Sequence, residues 1–245
     1  MYTKYWTQLT INERKATVVP SIQTAESVLM ALGIDTVLKQ FQKTLDLGCS
    51  FGRMYSLLDG ISHTVCGLDL ESSAVEAASN LGYADVALGS ASSIPYEDSS
   101  FDFIFCWAVF DALTQGEALT EANRVMVNGG LMLVTGKNAS YRHDDSQAIV
   151  AELAAKENGF IGHYTLLWRL VEALPDLGFE VVQTLRFEKR NDFALMKIME
   201  NYSDDMDYYE YVILLKKVRE SLETGKQDCA WDLLESQTLS GRSDR

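Results

Sequence analysis

The sequence lacks paired cysteines and long apolar runs, and each absence argues against a class of protein. None of its four cysteines belongs to a Cys-x-x-Cys pair, and cysteine within an apolar run behaves as a small buried hydrophobic residue. The longest apolar stretch, from Phe103 to Phe110, is far shorter than the ~20 residues that a membrane-spanning helix needs. We therefore expect unpaired cysteines, no membrane span, and a reducing, cytoplasmic setting.

Positive charge is scarce as well. The 245 residues include 21 lysines and arginines against 35 aspartates and glutamates, a formal net charge of −14. Such a charge disfavours nucleic-acid phosphates and anionic membranes as main partners. The first residues, Met1 to Gln8, lack the apolar core of a signal peptide, which again predicts a cytoplasmic location. Histidine, cysteine and carboxylate residues never cluster at the spacing of metal ligands, so we expect no metal.

The pattern of the chain changes at Thr44. Before it, apolar residues at helical spacing predict a helical N-terminal cap over residues 1–43, broken near Gly33. After it, short apolar runs alternate with helical stretches, which is typical of βαβ units around a parallel sheet. The predicted strands are 44–48, 64–69, 85–90, 101–107, 130–136, 179–188 and 208–216, and the predicted helices lie near 51–60, 72–81, 111–127 and 163–174.

The predicted α/β core covers residues 44–217, with insertions at 137–164 and 190–207. No crossover helix separates the last two strands, so we expect the last strand to pair antiparallel. Residues 218–245 follow as a C-terminal segment. Its apolar residues Val218, Leu222, Trp231 and Leu234 predict an amphipathic helix before a polar tail.

The turn after the first strand is the most informative motif. Residues 44–53 read Thr-Leu-Asp-Leu-Gly-Cys-Ser-Phe-Gly-Arg, an apolar strand that ends near Asp46 and breaks at Gly48 and Gly52. Glycine permits a positive φ and lets a ligand approach the main chain, and free N–H groups at a helix start favour polar or anionic groups. The turn is therefore predicted to hold a cofactor.

A second acid, Asp69, ends the next strand 23 residues after Asp46. In nucleotide-binding α/β folds, a carboxylate at this place accepts hydrogen bonds from both ribose hydroxyls. Glu71 is the rival candidate, although an acid in a first helical turn commonly serves the helix dipole. Ser73 and Glu76 fit a capping box that explains this helix start structurally.

Two other motifs compete for the same turn. Residues 48–52 satisfy G-x-S-x-G, the nucleophile elbow of serine hydrolases, with Ser50 as nucleophile. An elbow needs several preceding strands, and it leaves Asp46 and Asp69 unexplained. The dinucleotide pattern G-x-G-x-x-G fails, since Ser50 and Arg53 replace its second and third glycines. The hydrolase stays open as an alternative, whereas NAD or FAD is disfavoured.

The ordered motifs resemble those of class I S-adenosylmethionine (SAM)-dependent methyltransferases of the small-molecule type. The resemblance runs from about residue 44 to 136 and is carried by Asp46–Arg53, Gly67–Leu70, Ile94–Tyr96, Ser100–Asp102 and Arg124–Gly130. It implies a Rossmann-like, doubly wound, seven-stranded sheet in the order 3-2-1-4-5-7-6, with SAM as cofactor and S-adenosylhomocysteine (SAH) as product. The family's middle glycine is Ser50 here, its usual aspartate beside the adenine amine is Ser90, and Asn128 replaces a common proline.

The resemblance also implies roles for individual residues. Asp46 would orient the amino group of SAM, Asp69 would bind the ribose hydroxyls, and Leu70 would pack on the adenine. The other implied cofactor contacts are Gly48, Cys49, Ser50 and Gly52 at the methionine end, Ser90 and Ala91 at the adenine, Cys106 and Trp107 on the route to the acceptor, and Tyr5 in an N-terminal lid.

The acceptor is a small organic molecule in this interpretation, and its pocket consists of segments without motifs. A base is needed only if the acceptor is protonated, and His143 is the candidate, with a solvated loop histidine as the alternative interpretation. Two different functions remain open: a serine hydrolase through Ser50, and a SAM-binding protein without catalysis.

Overall fold

A central sheet with helices on both faces organises the chain in this computed structural model, which describes residues 18–141, 146–157, 162–190, 195–222 and 231–234. The strands are β1 (Phe41–Leu47), β2 (Ser62–Asp69), β3 (Asp85–Leu88), β4 (Phe101–Cys106), β5 (Met126–Lys137), β6 (His163–Thr165), β7 (Phe179–Phe187), β8 (Lys197–Ile198), β9 (Glu210–Lys217) and β10 (Asp232–Leu234). The helices are α1 (Val18–Ala31), α2 (Tyr55–Ile61), α3 (Ser72–Ala78), α4 (Gln115–Val125), α5 (Ser146–Glu157) and α6 (Leu167–Ala173), and a 3₁₀ turn covers Phe110–Ala112.

The main sheet has eight strands in the order β3-β2-β1-β4-β5-β9-β7-β8. Strands β1 to β5 pair in parallel, which confirms the predicted α/β, Rossmann-like, mostly parallel architecture. The antiparallel pairing of β9, the last strand of this sheet in the chain, with β5 is also confirmed.

The predicted count of seven strands is wrong, and the order of the sheet differs from the predicted 3-2-1-4-5-7-6 by an eighth strand at its edge. An eighth strand, β8, pairs antiparallel with β7 through Leu185 and Ile198. It lies in the predicted insertion at 190–207 and is only two residues long, too short for an alternating pattern. The short strand β6 joins a separate two-stranded sheet with β10.

Both faces of the main sheet are buried, as helices on each side require. Strand β4 shows this, because Ile104 and Cys106 belong to one hydrophobic cluster and Phe103 and Phe105 to the other. All four side chains are fully buried, and burying one large apolar side chain contributes roughly 1.5–3 kcal/mol. The rigid strands therefore fix where their carboxyl ends meet.

The described part of the C-terminal segment corrects the sequence prediction. Val218 and Leu222 are exposed, and Trp231 is buried. Instead of the predicted helix, residues 232–234 form strand β10, which pairs antiparallel with β6 and places Leu233 opposite Tyr164. A backbone hydrogen bond from Leu166 N to Trp231 O (2.8 Å) continues this pairing. The apolar spacing of this segment is that of a helix, but the backbone of β10 forms its hydrogen bonds with β6. No helix in the described ranges is long and apolar enough to cross a membrane.

Candidate cofactor site

The candidate site lies where the carboxyl ends of β1, β2 and β4 meet. Strand β1 stands between β2 and β4, so the chain proceeds to one side of β1 through β2 and β3 and to the other through β4 and β5. Ligands of open α/β sheets bind at such a reversal point, outside the carboxyl ends of the strands. Both sequence motifs, the glycine turn after β1 and Asp69 at the end of β2, fall here.

The glycine turn has three residues at positive φ: Gly48 (78°), Ser50 (51°) and Gly52 (79°). A Cβ on Gly48 would lie 2.7 Å from Val109 Cγ2, and one on Gly52 would collide with the Leu81 side chain. Both positions therefore require glycine. Ser50 tolerates its left-handed conformation because its backbone N–H donates a 2.8 Å hydrogen bond to Asp69 Oδ2, which explains how serine replaces the family's middle glycine.

Asp69 is held in place by two backbone donors. Besides the Ser50 N–H, the Glu71 N–H donates to Asp69 Oδ1 at 3.0 Å. Burial raises the pKa of Asp69, and these hydrogen bonds lower it in part. Each carboxylate oxygen has a further lone pair, so the carboxylate can still accept two hydroxyl groups of a ligand.

Glu71 has a structural role in this geometry. Its carboxylate accepts a 2.8 Å hydrogen bond from Ala74 N and one from the Ser73 hydroxyl. Glu71 is thus the N-cap of α3, and the predicted capping box of Ser73 and Glu76 is wrong. A glutamate side chain is long enough to reach the N–H of the third helical residue, one of the donors that a helix leaves unpaired.

Asp46 lies beneath the turn, 3% exposed. Tyr83 donates a 2.6 Å hydrogen bond from its phenol to Asp46 Oδ2. Burial raises the pKa of Asp46 to about 7, although the Tyr83 hydrogen bond and the positive charge of Arg53 oppose the rise, and the negative charge of Asp69 adds to it. Both protonation states of this carboxyl are therefore populated near neutral pH.

A cavity of about 220 Å³ opens beside the turn. Its lining brings together five residues predicted from the sequence, Gly48, Asp69, Leu70, Ser90 and Ala91. Sequence reasoning missed the rest of the lining: Leu47, Leu68, Gly89, Ser92, Val109, Ala112, Leu113 and Thr114. Half of these follow β4, and the adjacency of β4 and β1 is the signal that could have found them.

Other predicted residues lie away from the cavity wall. Cys106 is fully buried in the core, where burial raises the pKa of its thiol. Trp107 stacks on Phe105 with ring centroids 5.6 Å apart. Asp46, Cys49, Ser50 and Gly52 belong to or support the turn itself. Tyr5 and His143 lie outside the described residues.

The described residues around Ser50 do not supply the machinery of a hydrolase. A nucleophile elbow needs a histidine within hydrogen-bond reach of the serine hydroxyl. Neither His63 nor His163, the two histidines among the described residues, makes a hydrogen bond with Ser50. The backbone N–H of Ser50 donates a hydrogen bond to Asp69 Oδ2, so this residue has a structural role in the turn.

The residues of the site fit the SAM predicted from the sequence. Asp69 reaches the cavity as a fixed acceptor for vicinal hydroxyls, and Leu70 and Ala91 give apolar surface beside it. Gly48 lines the cavity without a side chain, so a ligand can approach the main chain of the turn at this residue. Among the described residues, no group of three or more histidine, cysteine, aspartate or glutamate side chains could hold a metal ion.

Comparisons with known proteins agree with this geometry. Residues 45–134 match the family model of a methyltransferase domain, a range that contains the turn, Asp69 and the cavity lining. A Thermotoga maritima protein, described as a SAM-dependent methyltransferase and possible histamine N-methyltransferase, has a similar structure with a TM-score of 0.65 at 19% identity, over 89% of this chain and 100% of that one.

Two further solved structures are similar. A SAM-dependent methyltransferase from Methanosarcina mazei gives a TM-score of 0.55 at 22% identity, over 75% of this chain and 96% of that one. A SAM-dependent methyltransferase from Mesorhizobium loti gives a TM-score of 0.59 at 15% identity, over 79% of this chain and 98% of that one. No curated protein matches the sequence significantly.

Proposed function

We propose that this chain, which is a class I SAM-dependent methyltransferase, transfers the methyl group of SAM to a small organic acceptor. The observation that carries the proposal is the pairing of Asp69 with the glycine turn. The carboxylate and the open backbone are tied to each other by the Ser50 hydrogen bond, and they adjoin one cavity at the carboxyl edge of the sheet.

The residues around the cavity perform the tasks that methyl transfer requires. SAM supplies, when bound, a methyl group on a positively charged sulfur that is a good leaving group. The turn and Asp69 fix the position of the bound molecule, and orientation of this kind accounts for much of the rate in such reactions. Val109 and Leu113, apolar residues of the cavity wall, exclude water from the reacting centre.

An ion pair beside the cavity supports a small polar acceptor. Lys137 Nζ lies 3.0 Å from Asp111 Oδ2, and the two side chains are only 17% and 12% exposed. Asp111 belongs to the 3₁₀ turn whose neighbours line the cavity, and Lys137 ends β5. We assign this pair to the acceptor side because it lies past the carboxyl ends of β4 and β5, where loops carry specificity.

Several finer assignments are part of the same proposal. His143 is the candidate base and Tyr5 the candidate lid residue. Cys49, Cys66 and Cys106 are free thiols, which supports a reducing, cytoplasmic location. The Thermotoga maritima structure is described as a possible histamine N-methyltransferase, so small amines are the first acceptors to test.

The experiment is methyl transfer from SAM labelled in its methyl group, with the purified chain and three panels: small amines, small hydroxylated compounds, and macromolecules including tRNA and protein. We expect label in a small molecule, lost with Asp69→Ala and retained with Glu71→Ala. Label only in tRNA or protein would overturn the proposed acceptor class. Tight SAH binding without transfer to any panel would favour a SAM-binding protein without catalysis.

A further inference from the structure

Arg53 carries a charge in the candidate site that the assignments above do not use. Its Nε is buried and has no hydrogen-bond partner. Among the described residues, no carboxylate lies within salt-bridge distance of its guanidinium. Buried polar groups in native proteins are nearly always paired, and an unpaired buried group of a charged side chain is costly. The orphaned N–H therefore points to a partner other than the residues that the structure describes.

The position of Arg53 shows which partner is missing. It follows Gly52 directly, so it ends the turn under which Asp46 is buried. Burial lowers the pKa of Arg53, and the negative charge of Asp46 opposes that change. An anion and a cation thus stand close enough to attract each other at one turn, yet they form no ion pair. The Asp46 oxygen accepts from Tyr83 instead.

We propose that Arg53 binds the α-carboxylate of the methionine portion of SAM, while Asp46 faces its α-ammonium group. The inference rests on the binding of SAM at this turn. An α-amino acid carries both charges on substituents of one carbon, so it fits between an acid and a guanidinium that flank the same turn. Arginine remains charged even when buried, and its planar fork matches a carboxylate.

Arg124 and Arg186 provide two comparisons for Arg53. Arg124 uses all three of its nitrogens, with Glu121, Asp98 and two backbone carbonyls as partners. Arg186 shares the orphaned Nε but lies on β7, next to the edge of the sheet and remote from β1. Arg186→Met is therefore the matched control for loss of a partly buried arginine outside the site.

The test is isothermal titration with two ligands that differ only in the carboxylate: SAH and its decarboxylated form, S-adenosyl-3-thiopropylamine. We expect Arg53→Met to weaken SAH binding ~10- to 100-fold, the loss typical of a charge-assisted hydrogen bond. Affinity for the decarboxylated ligand should change less than about threefold. Arg186→Met should leave both affinities unchanged, and Arg53→Lys should recover part of the SAH affinity.

The wild-type chain provides a second arm that does not depend on folding of a variant. It should bind SAH at least ~10-fold more tightly than the decarboxylated ligand. Equal affinity of the wild type for the two ligands, or equal losses for both in Arg53→Met, would overturn the role of Arg53 while leaving SAM binding intact. Failure of the wild type to bind either ligand would instead overturn SAM binding at the turn.

Discussion

The phenol of Tyr83 lies 2.6 Å from the Asp46 carboxylate and donates its hydrogen to it. The Tyr83 ring packs in turn against Tyr55, with centroids 4.7 Å apart, and it lies 3.2 Å from where a Cβ on Gly52 would be. The buried acid is thus held from below by a side chain that also supports the turn. Because the pKa of Asp46 is raised to about 7, the charge of this carboxyl depends on pH in the neutral range.

The first prediction concerns stability and pH. The pKa of Asp46 is raised by burial from 3.8 to about 7. Between these values the unfolded chain has lost the proton and the folded chain has kept it, so this group makes the free energy of unfolding fall as pH rises. The effect is at most about 4 kcal/mol. Asp46→Asn keeps an amide oxygen that can accept the hydrogen bond from Tyr83. In urea unfolding, this variant should be more stable than the wild type at pH 8 but not at pH 4.

Asp59→Asn is a suitable control for that series. Asp59 is about half exposed, and its ion-pair partner among the described residues is the Lys39 side chain at 3.6 Å, so its replacement controls for the loss of a surface carboxylate. Parallel profiles for wild type and Asp46→Asn would show that Asp46 ionises normally in the folded chain.

The second prediction concerns pH and SAH binding. If Asp46 pairs with the α-ammonium group, binding requires the ionised form of Asp46, and this form becomes the majority only above its pKa of about 7. SAH affinity of the wild type should therefore rise between pH 5.5 and about 7 and then level off. Titration calorimetry in buffers of different ionisation enthalpy should show release of a proton below pH 7. Asp46→Asn should bind more weakly and release none, and a proton release equal to that of wild type would contradict the assignment.

The third prediction separates Asp69 from Glu71. If Asp69 accepts both ribose hydroxyls, Asp69→Ala leaves them unpaired and costs roughly 2–4 kcal/mol of SAH binding, about 30- to 1000-fold. Glu71→Ala removes the N-cap of α3, so it should cost about 1 kcal/mol of stability and little affinity. Titration and urea unfolding of both variants measure the two effects. Equal losses of affinity would refute the division of roles.

Much of this site was accessible from sequence because its signals are local. Gly48 and Gly52 mark positions where only glycine fits the backbone, and Asp69 ends an apolar strand at a fixed distance from Asp46. The alternation of strands and helices then predicts a parallel sheet, whose geometry brings the ends of β1 and β2 together. Each of these steps needs only the chain segment in question and the general rules of sheet topology.

The parts that sequence could not supply depend on contacts between distant segments. Val109 lines the cavity because β4 lies next to β1; no pattern within its own segment indicates this, and only the predicted strand order carries that signal. Strand β8 has two residues and β10 has three, so neither is long enough to show alternation, and both exist through pairing with β7 and β6. The sequence leaves Glu71 as a rival of Asp69 for the ribose hydroxyls, and the hydrogen bond that its side chain accepts from Ala74 N assigns it to the helix instead.

The fourth prediction tests the contact between Gly48 and Val109. Gly48→Ala places a Cβ 2.7 Å from Val109 Cγ2 at a φ of +78°, which should destabilise the chain by roughly 1–3 kcal/mol. Val109→Ala removes the colliding methyl groups but not the backbone strain. The double variant should therefore be less destabilised than the sum of the single variants, as urea unfolding of all four proteins would show. Additive effects would mean that the segment after β4 does not rest on the turn.

The last prediction locates the ligand by hydrogen exchange, before any acceptor is known. SAH should protect the amides of residues 46–53, to which we assign the methionine end of the ligand. It should also protect those of 89–92 and 109–114, because these segments contribute residues to the cavity lining. Strand β8 (Lys197–Ile198) lies next to β7 at the far edge of the described sheet, and the exchange of its amides should not change. Asp69→Ala measured at the same SAH concentration should lose the protection, since little ligand is then bound. Protection confined to the β8 edge, with the turn unaffected, would place the ligand elsewhere and contradict the assignment of the cofactor to the carboxyl ends of β1, β2 and β4.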